Sequence, residues 1–232
     1  WFELVTAAAF AWFAQQAVDV AVVEVGLLGR YDATNVADGL VAVVTNVGRD
    51  HTDGGDGWRA AIAGEKAGIV KPGSTLVLGE TDRHLQAVFE AEGPERIWRR
   101  DRDFAAENGR VAVGGRVLDV RTPGGRLDEL YLPVHGAHQG DNLAVAVAAA
   151  EAFFDRPLDG GVVEEALAGL KVPGRFEIMG REPLLVLDGA HNPDGMTALT
   201  TTLHDDFAAV PSTIVVLGML GGRDPDAMVA AL

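Results

Sequence analysis

The apolar positions of this chain fall into runs of two kinds. Asp19–Gly26 and Val41–Gly48 are nearly continuous and rich in valine, and each runs into a polar cluster. Short apolar runs of that composition predict parallel strands buried on both faces. Thr75–Leu78, Arg96–Arg99, Leu184–Leu187 and Thr213–Leu217 predict further strands. Helical spacing runs over Phe2–Gln16, Trp58–Ile69, His138–Phe154 and Asp159–Leu170. Asp82 is placed to cap a helix reaching about Glu92, Pro193 sits where a first-turn proline belongs in a helix reaching about Phe207, and Pro225 starts another. Tyr31–Gly39 predicts a loop or short helix. From Phe104 to Val134 the pattern becomes an alternation broken at Gly109, Gly114-Gly115 and Gly124-Gly125, the mark of antiparallel hairpins.

Strands alternating with helices at both ends of the chain predict an α/β fold: a parallel sheet with flanking helices and right-handed crossovers, plus a small antiparallel region. Val172-Pro173-Gly174-Arg175 breaks the rhythm and predicts a hinge between a first domain, 1–172, and a second, 173–232. The chain opens on Trp1 in one helical pattern and stops at Leu232 in another, so it reads as a piece of a longer protein.

Composition narrows the function. With 232 residues and 48% apolar content a sizeable core is affordable. The net charge of -15 argues against a general nucleic-acid binder, which needs lysine and arginine against phosphates. The chain has no cysteine, so disulfides, thiolate nucleophiles and sulfur-ligated zinc are excluded. No apolar run approaches the roughly 20 residues needed to span a bilayer. The expected setting is the cytoplasm, with small-molecule partners, no nucleic acid and no membrane.

Three polar residues stand out near the predicted strand ends. Glu24 closes a valine run and is either a cation ligand or a strand-end carboxylate facing solvent. His51 follows Asp50 beyond the second run. It is either a ligand or a loop histidine, and parallel pairing of the two strands would carry it to the same sheet edge as Glu24, where open α/β folds bind ligands. Magnesium prefers oxygen donors, whereas manganese tolerates both oxygen and nitrogen. Lys66 is one of only three lysines beside sixteen arginines. It is either a solvated helix lysine or an amine kept for chemistry that arginine cannot perform. Arg175 and Asp188 could meet a nucleotide, or be a surface charge and a helix cap. Asn142, in the first turn of an apolar helix, could cap it locally. No Gly-x-x-x-x-Gly-Lys-Ser/Thr phosphate loop, Gly-x-Ser-x-Gly elbow or His-Glu-x-x-His occurs in the sequence.

Taken in order, Glu24-Val25-Gly26-Leu27-Leu28-Gly29-Arg30-Tyr31-Asp32-Ala33-Thr34-Asn35, Asp50-His51, Glu65-Lys66-Ala67-Gly68-Ile69, His138-Gln139 with Asn142, Pro173-Gly174-Arg175-Phe176-Glu177 and Asp188-Gly189-Ala190-His191-Asn192-Pro193 closely resemble the folylpolyglutamate synthase/dihydrofolate synthase family, the folate branch of the Mur ligase superfamily. The resemblance implies a central ATPase domain of Mur ligase type without its phosphate loop, followed by part of a Rossmann-like C-terminal domain. It implies a monomeric ATP-dependent ligase that joins dihydropteroate or a reduced folate to glutamate through an acyl phosphate, with Mg²⁺ or Mn²⁺ as the metal. By the same resemblance Glu24 and His51 are metal ligands, and His51 is also catalytic together with a carbamylated Lys66. Asn142, Arg175 and Asp188 bind ATP, and Tyr31, Asp32 and Ala33 touch the pterin. The chain departs from the family at Leu28, where the turn usually carries glycine, and at Gly221-Gly222-Arg223-Asp224, where Asp-Lys-Asp is more typical. By this reading the piece alone is inactive and its parent is an enzyme. The alternatives are a Mur-type ligase for another acid and a ligase-like nucleotide-binding domain without catalysis.

Overall fold

The structure, a computed structural model, describes residues 1–49, 55–210, 212–220 and 225–232. They fall into two compact units, Trp1–Val47 with Asp53–Arg99, and Gly48–Thr52 with Arg100–Leu232.

The first unit is an α/β layer. Strands β1 (Val41–Val44), β2 (Thr75–Leu78) and β3 (Arg96–Arg99) form a parallel sheet in that order, with Val43 opposite Val77 and Val77 opposite Trp98. Every residue of β2 is buried, as its central position requires, while β1 alternates between half-buried and buried. Helix α1 is Phe2–Gln16, α2 is Trp58–Ala67 and α3 is Arg83–Glu90. The Asp82 carboxylate accepts from the His84 amide at 2.9 Å and caps α3. Ile62, Ala63 and Ala67 of α2 and Leu85 and Phe89 of α3 close over Ala42, Val44, Leu76 and Leu78 to make the core. The Glu80 carboxylate, itself buried, fixes the chain leaving β1: it accepts from the Val47 amide at 3.0 Å and from Arg59 at 3.1 Å.

In the second unit β4 (Ala105–Ala112), β5 (Gly115–Thr122) and β6 (Gly125–Leu132) make the antiparallel sheet that the glycine pairs predict. Helix α4 (Ala137–Phe154) packs on β4 and β5, and α5 (Gly160–Ala168) on β6. The alanines of α4 let it approach closely, and Ala144, Val147 and Ala148 are buried with Leu118 and Val120 of β5. Beyond Gly174 lie β7 (Glu177–Arg181), β8 (Leu184–Leu187), α6 (Pro193–Asp206) and α7 (Pro225–Ala230). Asn192 caps α6, its Oδ1 accepting from the Gly195 amide at 2.8 Å, with Pro193 in the first turn as the sequence predicts.

Three expectations fail. Asp19–Gly26 and Thr213–Leu217 are irregular rather than strands. Val22, Ile214 and Val216 are 94%, 93% and 95% exposed. A valine run becomes a parallel strand only where neighbours supply both a hydrogen-bond ladder and covering faces, and neither segment has a strand partner among the described residues. The third correction concerns pairing after Pro173. The strands described there, β7 and β8, run antiparallel, and β7 escaped the sequence reading because Met179-Gly180 interrupts its apolar pattern.

Candidate functional site

In the first unit, Glu24 lies on the irregular stretch with its side chain exposed, so it does not reach a strand edge by strand pairing. The loop after it is tightly built. One Asp32 oxygen accepts from the Thr34 amide at 2.9 Å and the Thr34 hydroxyl at 2.5 Å, and the other accepts from the Leu27 amide at 2.8 Å. Burial pushes this carboxyl up. The Thr34 hydroxyl and amide and the Leu27 amide more than offset it, so its pKa sits below the ordinary aspartate value. Asp32 therefore shapes its own loop. Ala33 begins the 3-10 turn Ala33–Val36, and Tyr31 is on the surface.

Arg30 fastens this loop to α2. Its amide donates to the Glu65 carbonyl at 2.8 Å, its guanidinium donates to the Gly64 carbonyl at 2.9 Å, and it pairs with Glu92. Asn35 Nδ2 donates to the Arg30 and Gly68 carbonyls at 2.9 and 3.1 Å, and Lys71 Nζ donates to Asn35 Oδ1 at 2.9 Å. Two glycines permit the approach. A Cβ on Gly68 would lie 2.5 Å from Arg30 Cα, and one on Gly29 would lie 3.3 Å from Lys66 Cα. The loop that follows Glu24 thus rests on the last turn of α2, where Lys66 is half-buried. Leu28 occupies the left-handed region at φ 59, where a glycine would be unstrained, and its side chain packs against the core of this unit.

His51, with Asp50, lies outside the described residues, as does the Gly221–Asp224 segment. Among the described residues no three His, Cys, Asp or Glu side chains gather as a metal cluster.

In the second unit Arg175 and Asp188 share one corner, and the Asp188 carboxylate lies near enough to His138, at the start of α4, to act on its charge. Asn142 and His138 are one turn apart near the start of α4 and so share a side of it. Asn142 is exposed and donates to Gln139 Oε1 at 3.1 Å. Asp188 follows β8, and its two oxygens accept from the Phe176 amide at 2.7 Å and the Ala190 amide at 2.8 Å. The Gly189 amide donates to the Gly174 carbonyl at 2.7 Å, which lays the Arg175 turn against the Asp188 turn. A Cβ on Gly189 would come within 2.6 Å of Arg175 Nη1, so glycine there makes room for the guanidinium. Arg175 itself is exposed. Desolvation lowers the pKa of His138 although part of the residue meets solvent. The Asp188, Asp141 and Asp206 carboxylates pull it the other way without restoring it. An exposed arginine and an imidazole whose charged form burial disfavours beside a carboxylate-pinned turn, with an exposed carboxamide one turn along α4 from that imidazole, suit a ligand that is anionic at one end and hydrogen-bonding at the other.

Sequence reasoning quoted Arg30 and His138 without giving them a part in the site, and it passed over Asp206. Arg30 has a local signal, its place between Gly29 and Asp32. Asp206 has none, since its partners Arg116 and Gly136 are 90 and 70 residues away along the chain.

The fold and these two clusters define a class. A family model for the Mur ligase middle domain matches residues 3–150, and one for the Mur ligase glutamate ligase domain matches residues 174–232. The chain belongs to the Mur ligase family. Within it, the chain is 43% identical over 244 residues to the dihydrofolate synthase/folylpolyglutamate synthase of Mycobacterium tuberculosis, covering 100% of this chain and 50% of that protein. It is 36% identical over 234 residues to the folylpolyglutamate synthase of Lacticaseibacillus casei, covering 98% of this chain and 54% of that protein. The solved structure of the Mycobacterium tuberculosis folylpolyglutamate synthase complexed with ADP superposes with a TM-score of 0.95 at 43% identity, covering 99% of this chain and 53% of that one. The chain spans about half the length of the curated relatives it matches.

Proposed function

We propose that the parent of this chain is an ATP-dependent ligase that joins dihydropteroate or a reduced folate to L-glutamate. The carrying observation is the corner where the Arg175 turn, the Asp188 turn and the start of α4 meet, in a chain whose relatives bear that activity in their names and include a structure holding ADP. In this reading Arg175 meets the nucleotide phosphates, Asp188 the ribose and Asn142 the adenine. ATP phosphorylates the acceptor carboxylate, the glutamate amine attacks the acyl phosphate, and phosphate leaves from a tetrahedral intermediate. Positioning and charge neutralisation supply the rate.

A divalent cation fits the donor chemistry of the first unit. Glu24 offers an exposed carboxylate, and carbamylation of Lys66 would add a second hard oxygen donor on the helix against which the Glu24 loop rests. Glu24, the Lys66 carbamate and His51 would hold the ion, and bound there it would neutralise phosphate charge. Tyr31, Asp32 and Ala33 would border the pterin. The boundary near Pro173, the monomeric state and the cytoplasmic setting belong to the same proposal.

The test is ADP release by the intact parent protein with ATP, Mg²⁺, dihydropteroate and glutamate. The reading expects release that needs both co-substrates. Release with another acid in place of the pterin substrate would make it a different Mur-type ligase, and no release with any acid would make it a nucleotide-binding domain without catalysis.

A further inference from the structure

Asp206 ends α6 with a carboxylate that is 0% exposed. It is fully engaged. One oxygen pairs with Arg116 of β5, and the other accepts from the Gly136 amide at 3.0 Å and contacts His135 Nδ1 at 3.3 Å. Gly136 is the capping residue immediately before α4. It stands at φ 96 and has no side chain to cap the helix, so the capping position itself is held from α6. The His135 ring and the Phe207 ring, either side of this knot, both hold the Phe176 ring. His135 and Phe207 are 4.9 Å apart by centroid, Phe176 and Phe207 are stacked at 5.0 Å, and His135 and Phe176 are 5.6 Å apart.

Phe176 is the link to the candidate site. It follows Arg175, its amide donates to Asp188, and its backbone stands at φ 47, a left-handed conformation that is strained for a non-glycine residue and persists only where surroundings hold it. The clamp on its ring is what holds it. We propose that Asp206 is a positioning residue for the nucleotide site: it fixes the start of α4, which carries His138 and Asn142, and through His135 and Phe207 it fixes the Phe176 backbone that orients Arg175 and Asp188. This rests on the nucleotide reading of that corner. Leaving either Arg116 or the Gly136 amide without its buried acceptor disturbs both sides of the corner at once.

The test uses the intact parent protein and its Asp206→Asn and Asp206→Glu variants. Asn keeps the shape but must turn an NH₂ group toward either Arg116 or Gly136. Expected is a loss of ATP-analogue affinity on the order of tenfold or more for Asp206→Asn, seen by calorimetry on folded protein and as a raised KM for ATP with a smaller fall in kcat. Asp206→Glu recovers part of the affinity. Wild-type affinity in a folded Asp206→Asn protein, even one of lowered Tm, would overturn the proposal by leaving Asp206 a purely structural group. Should Asp206→Asn not fold, Phe207→Leu, which loosens the Phe176 and His135 rings and leaves the Asp206 carboxylate in place, carries the same expectation and the same contrary result. Failure of the wild-type protein to bind any adenine nucleotide would instead overturn the nucleotide reading itself.

Discussion

The Lys66 loop and the Asp188 corner hold their residues by opposite means. Around Lys66 the chain is held by backbone proximity: Gly29 and Gly68 bring Arg30 onto the end of α2, and main-chain carbonyls accept the Arg30 and Asn35 donors. Around Asp188 the chain is held by carboxylates: Asp188 pins two amides, and Asp206 pins a third together with a guanidinium. The first arrangement tolerates no added volume. The second tolerates volume better than a change of charge. The difference shows how one family can place some residues by shape and others by electrostatics.

The largest expected effect is chemical. If Lys66 carries the proposed carbamate, Lys66→Ala should lower turnover of the parent at least about a hundredfold while the protein stays folded. Activity close to wild type would end the carbamate role. Next comes volume in the close-packed loop. Gly68→Val, with a Cβ that would meet Arg30 Cα at 2.5 Å, should cost about 2–3 kcal/mol in denaturant unfolding. An unchanged midpoint would show that the loop is not held by shape.

A smaller effect is electrostatic. His138 is depressed below the ordinary histidine value of 6.5. The unfolded chain therefore takes up its proton first as pH falls, so the folded state is unaffected above about pH 6.5 and loses stability below it. Thermal melts of wild type minus His138→Gln should be flat above that pH and diverge toward lower wild-type stability beneath it. A constant difference down to pH 5 would contradict the shift. The smallest effect belongs to Leu28→Gly. Relief of its left-handed backbone and loss of its apolar contact each amount to about 1–2 kcal/mol, so the net change should stay within about 1 kcal/mol.

Much of the fold was legible because local physics decides it. The Asp82 and Asn192 caps, Pro193 in a first turn and the glycine pairs between β4, β5 and β6 each act within a few residues. Val20–Val23 and Ile214–Val216 were misread because the same valine content serves a buried strand or an open segment, and only partners distant in sequence decide which. The site followed the same rule. The Asp188 turn and the Arg30–Asp32 loop are contiguous motifs and could be quoted from the sequence. Asp206, Glu80 and the clamp on Phe176 act across long separations, with no local pattern to betray them.

The central claim is that the parent activates a carboxylate by phosphorylating it. With dihydropteroate labelled by heavy oxygen in its carboxylate, the account predicts that the inorganic phosphate released during ligation carries one labelled oxygen, handed over when the acyl phosphate breaks. Phosphate free of label, with the amide product formed, would contradict it.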